Sequence, residues 1–167
     1  EGVAKPGAAS PSLKRICETA LDDRTLTLAD RAATLANSGI VSLRLGDFEP
    51  ALTRLKEAAD LGPKRSDISI SLAATLIRLG RADEAIAALS DIDSVSPENR
   101  HIAYYNRALA YWALEDTEAA YRDFYTSAAL KPGFAPAEDA PVKVGDKLRL
   151  IPAHVDPTIA YHEQIQL

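Results

Sequence analysis

From Leu13 to Ala128 the apolar residues recur at intervals of three and four, the spacing that puts them on one face of a helix, and polar or glycine-proline breaks divide them into blocks. Leu13, Ile16, Cys17, Ala20 and Leu21 form the first stripe, with Ser12 placed to cap it after Pro11. A polar break follows at Asp22 to Thr25, and Thr27-Leu28-Ala29-Asp30 has the pattern of a capping box opening a helix that runs to about Leu45. Gly46 ends it. Asp47 is expected to cap the next helix, which carries Ala51, Leu52, Leu55 and Ala58 inward, tolerates Pro50 in its first turn and stops at Gly62-Pro63. Ser66 is then expected to cap a helix bearing Ile68, Leu72, Leu76 and Leu79. After Gly80 the pattern predicts a return helix over 82–92 with Ala85, Ile86 and Leu89 inward. Ser96-Pro97-Glu98 has the form of an N-cap with proline at the first helical position, ahead of a helix to about Leu114 rich in Tyr104, Tyr105, Tyr111 and Trp112. Asp116 opens the last helix, with Ala120, Phe124 and Ala128 inward, and Lys131-Pro132-Gly133 closes it.

The blocks repeat. Leu45-Gly46-Asp47-Phe48-Glu49-Pro50-Ala51-Leu52 returns 34 residues later as Leu79-Gly80-Arg81-Ala82-Asp83-Glu84-Ala85-Ile86, and more loosely as Leu114-Glu115-Asp116-Thr117-Glu118-Ala119-Ala120-Tyr121. Pro63, Pro97 and Pro132 each follow 17 residues after Gly46, Gly80 and Glu115. A helix-turn-helix of about 34 residues that recurs in phase predicts a solenoid, in which each unit buries its apolar face against the next. The helix over 12–22 is then an N-terminal cap, and terminal units are atypical because they cover an end.

The three units, 32–65, 66–99 and 101–134, resemble the tetratricopeptide repeat. That family has small residues at its eighth position, here Gly39, Ala73 and Ala108, and a turn glycine, here Gly46, Gly80 and, as a departure, Glu115. Ala51, Ala85 and Ala120, then Leu55, Leu89 and Phe124, then Ala58, Ile92 and Ser127, and finally the three prolines complete the pattern. Ile92 stands for the usual alanine, and Arg100 is inserted between the second and third units. The resemblance implies an all-α superhelix of antiparallel helix pairs, here with an N-terminal capping helix and an irregular C-terminal segment over 135–167.

It also implies a function: binding a partner peptide or protein in the concave groove lined by the first helix of each unit, as an adaptor or assembly factor. The alternative is a structural or self-associating module whose groove is filled by its own tail or a second copy. Among the positions that face this groove in the family are Asn37, Ile40, Leu43 and Arg44; Ile70, Ala74, Ile77 and Arg78; and Tyr105, Asn106, Leu109 and Trp112. Asn37 and Asn106 have the donors and acceptors to hold a peptide backbone. Arg44 and Arg78, at the same position one unit apart, would form a short positive ladder for carboxylates, against the plainer reading of solvated surface charge. Tyr105 and Trp112 are the expected apolar anchors, with burial under the C-terminal segment as the alternative for Trp112. Family members that clamp the terminal carboxylate of heat-shock chaperones need lysines, asparagines and an arginine where this chain has Ala36, Ile40, Ser71, Ile102 and Asn106, so that clamp is missing.

Composition narrows the rest. In 167 residues, 47% hydrophobic and 26% charged, there is material for one domain with a core. A net charge of −5 argues against a nucleic-acid partner, which requires a basic face. No run approaches the roughly 18 apolar residues of a membrane span. The lone Cys17 lies on the first apolar stripe and is expected to act as a small buried hydrophobe. His154, Asp156, His162 and Glu163 in the tail match no metal-ligand spacing, and no phosphate loop or nucleophile elbow occurs, so neither enzyme activity nor a cofactor or metal is expected. The partner class is another protein, and the chain is expected to be a monomer or a weak homo-oligomer. The small, Ala- and Pro-rich opening over 1–11 resembles the flexible segment that follows a removed signal peptide, so a bacterial, periplasmic or secreted protein is expected, with a cytoplasmic one as the alternative. Beyond Pro132, the stretch from Val142 to Leu150 alternates around Gly145-Asp146 like a small hairpin, and the tail is expected to pack on the last helix or to lie in the groove.

Overall fold

The computed structural model describes residues 10–61 and 66–134. Their order is α1 (Pro11–Leu21), α2 (Leu28–Leu45), α3 (Phe48–Leu61), α4 (Ser66–Arg78), α5 (Ala82–Ala88), 3₁₀ turns at Ile92–Ser94 and Pro97–Asn99, α6 (Arg100–Ala113) and α7 (Thr117–Leu130). α2 packs on α3, α4 on α5 and α6 on α7, while α2, α4 and α6 neighbour one another in turn. This is an all-α stack of helix pairs. Among the described residues no helix is long and apolar enough to cross a membrane.

The stack is held by large residues plugging gaps between small ones. Leu35, Leu55 and Ile68 join the first unit to the second, and Leu52, Leu76, Leu89, Ile92 and Val95 fill the centre. Phe124 closes the third unit against Ala108 and Ala120. Close crossings require the small residues: a Cβ on Gly39 would stand 2.6 Å from Leu55 Cγ.

The three turns inside the units share one hydrogen-bond pattern. At each, an N–H two or three residues past the helix reaches back five residues to a helical carbonyl: Asp47 to Ser42, Arg81 to Leu76 and Asp116 to Tyr111, at 2.9, 2.9 and 3.0 Å. The residue before each donor is left-handed, as this closure demands: Gly46 at φ +85°, Gly80 at +72° and Glu115 at +62°. The turn is therefore conserved in geometry across the units even where its glycine is not.

Several expectations need correction. Ser10, not Ser12, caps α1, its Oγ accepting from the Leu13 N–H at 3.3 Å, and Pro11 takes the first helical position, where a missing N–H costs nothing. Of the α1 stripe only Leu21 is buried; Ile16 is 62% exposed, and Cys17 is half-buried rather than buried. Burial and then the nearby Glu18 carboxylate push the Cys17 thiol up, away from the thiolate. Asp47 stands before the first residue of α3 as expected, its carbonyl accepting from the Ala51 N–H at 3.0 Å, and Pro50 takes the third helical position, where no N–H is offered to the Asp47 side chain. Its carboxylate meets Lys14 Nζ at 2.5 Å and ties α1 to the turn between α2 and α3.

The return helix of the second unit stops at Ala88 instead of Ile92. Ser94 Oγ bonds to the Asp91 carbonyl at 2.7 Å, a local alternative to helix, and Ile92 turns into the core from a 3₁₀ turn. The inserted Arg100 then clips the loop, donating to the carbonyls of Val95 at 3.0 Å and Asp93 at 2.7 Å. Pro97 opens a 3₁₀ turn and α6 begins at Arg100; the Ser96 side chain makes no cap bond and accepts from Asn99 Nδ2 instead. In α7, Asp116 caps as expected, but Ser127 rather than Ala128 is fully buried, its hydroxyl donating to the His101 carbonyl at 2.7 Å. Gly62-Pro63, the opening segment, the Val142 to Leu150 stretch, the tail's expected packing and the tail residues His154, Asp156, His162 and Glu163 lie outside the described residues.

Candidate functional site

Because α2, α4 and α6 lie side by side, their last turns form a groove of about 550 Å³. α2 contributes Leu43, Arg44 and Leu45, and the turn after it contributes Gly46. Phe48 comes from the start of α3; Ala74, Ile77 and Arg78 come from α4; Asn106 and Leu109 come from α6. Leu43, Ala74, Ile77 and Leu109 make its lining apolar, two arginines border it, and among the described residues no carboxylate lines it.

Arg78 is positioned from below. Its guanidinium lies over the Phe48 ring, 4.9 Å from the centroid. Stacking on a ring restricts the long side chain while leaving the planar N–H donors at its edge for a ligand. Arg44 occupies the matching place one unit earlier, on α2.

The structure brings Arg44, Ala74, Arg78, Asn106 and Leu109 to this groove. It gives others different surroundings. Ile40 and Ile70 pack against core clusters, and Asn37 is exposed on α2. Tyr105 lies in a ring cluster, 5.6 Å from Phe124 and edge-on to Phe134 at 5.7 Å, contacts that hold the third unit together. Asn106 is 8% exposed and donates from Nδ2 to the Ile70 carbonyl at 3.3 Å, which commits part of its amide to joining α6 to α4. Trp112, one turn beyond Leu109, is 40% exposed.

Leu45, Gly46 and Phe48 are groove residues the sequence reading missed, and Phe48 is the one that comes from a second helix. It is the first residue of α3, and its ring meets Arg78 in the last turn of α4. A second, polar pocket of about 310 Å³ lies between α6 and α7, lined by Arg107, Tyr111, Ala119, Arg122, Asp123 and Thr126. Arg107 donates to both Asp123 oxygens at 2.6 and 3.0 Å and lies over Tyr104 and Tyr111. Those bonds raise the Arg107 pKa, and the charge there is already compensated. Among the described residues no group of three His, Cys, Asp or Glu side chains is arranged to hold a metal ion.

Comparison with known families agrees with this geometry. One tetratricopeptide-repeat profile matches residues 42–110, and a second matches 101–134, the boundaries of the third unit. A third match, to the family described as "Putative serine dehydratase domain", covers residues 129–167, almost all of it beyond the described residues. No curated protein matches the chain. Together the two repeat profiles span 42–134, which takes in all three repeated turns and the second and third helix pairs, and the chain belongs to the tetratricopeptide-repeat family.

Proposed function

We propose that the chain is a protein-interaction module that holds a segment of a partner protein in the groove across α2, α4 and α6. Repeats of this family generally mediate protein–protein interaction. The observation that carries the reading is the groove lining, an apolar floor bordered by Arg44 and by an Arg78 held on Phe48. Such a surface can exclude water from apolar side chains and orient polar ones at its edge. The test fills the groove: Ala74→Trp is compared with the unaltered chain for retention of partners and for affinity toward each retained protein once purified. A partner lost with Ala74→Trp, while the helical circular dichroism is unchanged, supports the groove. Equal retention moves binding elsewhere, and mass that rises with concentration without any partner favours self-association.

A second reading rests on the match over 129–167. There the expectation of a non-enzyme meets similarity to a serine dehydratase domain, and the repeats would serve as the docking part of a protein that also carries such a segment. Dehydration of serine, followed by hydrolysis of the enamine, gives pyruvate and ammonia. Release of both from serine by the purified chain, above a protein-free control, supports this reading; no release leaves the binding module alone.

A further inference from the structure

We infer that the groove takes a linear segment of a partner protein in which acidic residues are interspersed with large apolar ones, and that Arg78, backed by Phe48, selects it. This rests on reading the groove as the binding surface.

The first argument is charge complementarity. The chain as a whole is acidic, with 24 Asp and Glu against 19 Lys and Arg. Among the described residues the groove lining inverts that balance, with two arginines and no carboxylate. A locally cationic, apolar-floored trough in an acidic protein repels basic segments at long range and attracts acidic ones.

The second argument is the state of Arg78. Arg54, Arg81, Arg107 and Arg122 each face a carboxylate, from Glu57, Glu84, Asp123 and Glu118. Among the described residues no carboxylate pairs with Arg78; its recorded partner is the Phe48 ring. A guanidinium that is already ordered on an aromatic face loses less freedom when a carboxylate docks on its N–H edge, and that edge matches a carboxylate in bidentate fashion.

The third argument is spacing. Arg44 and Arg78 occupy equivalent places 34 residues apart on adjacent helices, and packed helices lie about 8–10 Å apart. An extended chain of the polyproline type advances about 3.1 Å per residue with three residues per turn, so acidic side chains three apart share a face at about that separation. Leu43 and Ile77 share a second row, and Trp112 stands at the corresponding place in the third unit, 40% exposed. The apolar side chains of the segment are assigned to that row.

The experiment uses the full chain and a fluorescein-labelled peptide with Glu at every third position and Leu between, followed by fluorescence polarisation and by Trp112 emission. A peptide with Lys in place of each Glu is the comparison. The acidic peptide is expected to bind, to weaken as salt rises and to shift Trp112 emission. Arg78→Glu is expected to weaken it at least about tenfold and to reverse the preference toward the Lys peptide. If both peptides bind alike, or Arg78→Glu changes nothing while Ala74→Trp still abolishes binding, the groove binds but not this class, and the inference falls alone. If neither peptide binds and partner retention is indifferent to Ala74→Trp, the binding reading falls with it. A mass that doubles with concentration and returns to monomer in Arg78→Glu assigns the groove to a second copy and also overturns the inference.

Discussion

Arg107 and Asp123, 16 residues apart in sequence, meet between α6 and α7 through two parallel N–H···O bonds of 2.6 and 3.0 Å. The Arg107 side chain is 21% exposed and that of Asp123 8%, so the pair is mostly withdrawn from water. The rings of Tyr104 and Tyr111 stand 5.4 and 5.9 Å from the guanidinium carbon. Asp123→Ala leaves this cation without its carboxylate and is expected to cost about 1–3 kcal/mol, below the value for a fully buried pair because Arg107 keeps some solvent. The double variant Arg107→Met, Asp123→Leu is expected to recover most of that loss, since two apolar residues leave no orphaned charge. Urea unfolding of the single and double variants checks both; equal stability for Asp123→Ala and the unaltered chain would show that the pair contributes nothing.

Gly39→Ala is expected to destabilise although alanine is the better helix former. The propensity gain is about 1 kcal/mol. Against it, the added Cβ meets Leu55 Cγ at 2.6 Å and the Ala51 carbonyl oxygen at 3.3 Å, and Leu55 is fully buried with no room to retreat. Overpacking of that kind typically costs about 1–3 kcal/mol, so the net change is a loss. Thermal unfolding is the measurement, and a raised midpoint would mean that α2 and α3 separate without strain.

The residues that announce the fold are those whose roles are local. Gly46 and Gly80, the capping box at Thr27 and Asp30, and the small residues at helix crossings state their purpose through spacing alone, so the repeat and its inward faces were legible. What was not legible depends on residues far apart in sequence. Arg107 and Asp123 find each other only after two helices pack, and the rings of Phe124 and Phe134 come to Tyr105 only then as well. Local competition misled in a different way at 82–92, where a helical apolar pattern was overruled by the Ser94 hydroxyl on the Asp91 carbonyl and by the Arg100 clip. In the groove, repeat register placed Arg44, Ala74, Arg78, Asn106 and Leu109 together, but register has no knowledge of Phe48, which belongs to the second helix of its unit.

Glu115 carries a cost that its counterparts Gly46 and Gly80 avoid. It is left-handed at φ +62°, held there by the bonds from its own N–H to the Trp112 carbonyl and from the Asp116 N–H to the Tyr111 carbonyl, both 3.0 Å. A side chain in this region costs about 1–2 kcal/mol, part of which glycine returns in unfolded-state entropy. Glu115→Gly is therefore expected to stabilise by roughly 0.5–1 kcal/mol, seen as a rise of a few degrees in the unfolding midpoint. Glu115→Val, whose branched side chain tolerates the conformation worst, is expected to move the midpoint down; a fall for both variants would mean that the Glu115 side chain makes a contribution of its own.

His101 gives the stability a pH dependence whose sign is fixed by its surroundings. The ring is buried at the start of α6 and edge-on to Phe134, 4.8 Å between centroids. Burial first, and then the positive charge of Lys131, hold its pKa below the ordinary 6.5, while a hydrogen bond with the Glu98 backbone works the other way. The unfolded chain thus takes up the proton more readily than the folded one, so the stability associated with His101 is fully present above about pH 6.5 and is lost as pH falls through the window beneath it. Chemical unfolding at about pH 7.5 and about pH 5.5 is expected to show a decline toward acid. His101→Gln, which retains a polar side chain but cannot titrate, is expected to show a smaller one. His154 and His162 are unchanged in both proteins, so the difference between the two declines belongs to His101, and identical declines would place the acid sensitivity elsewhere.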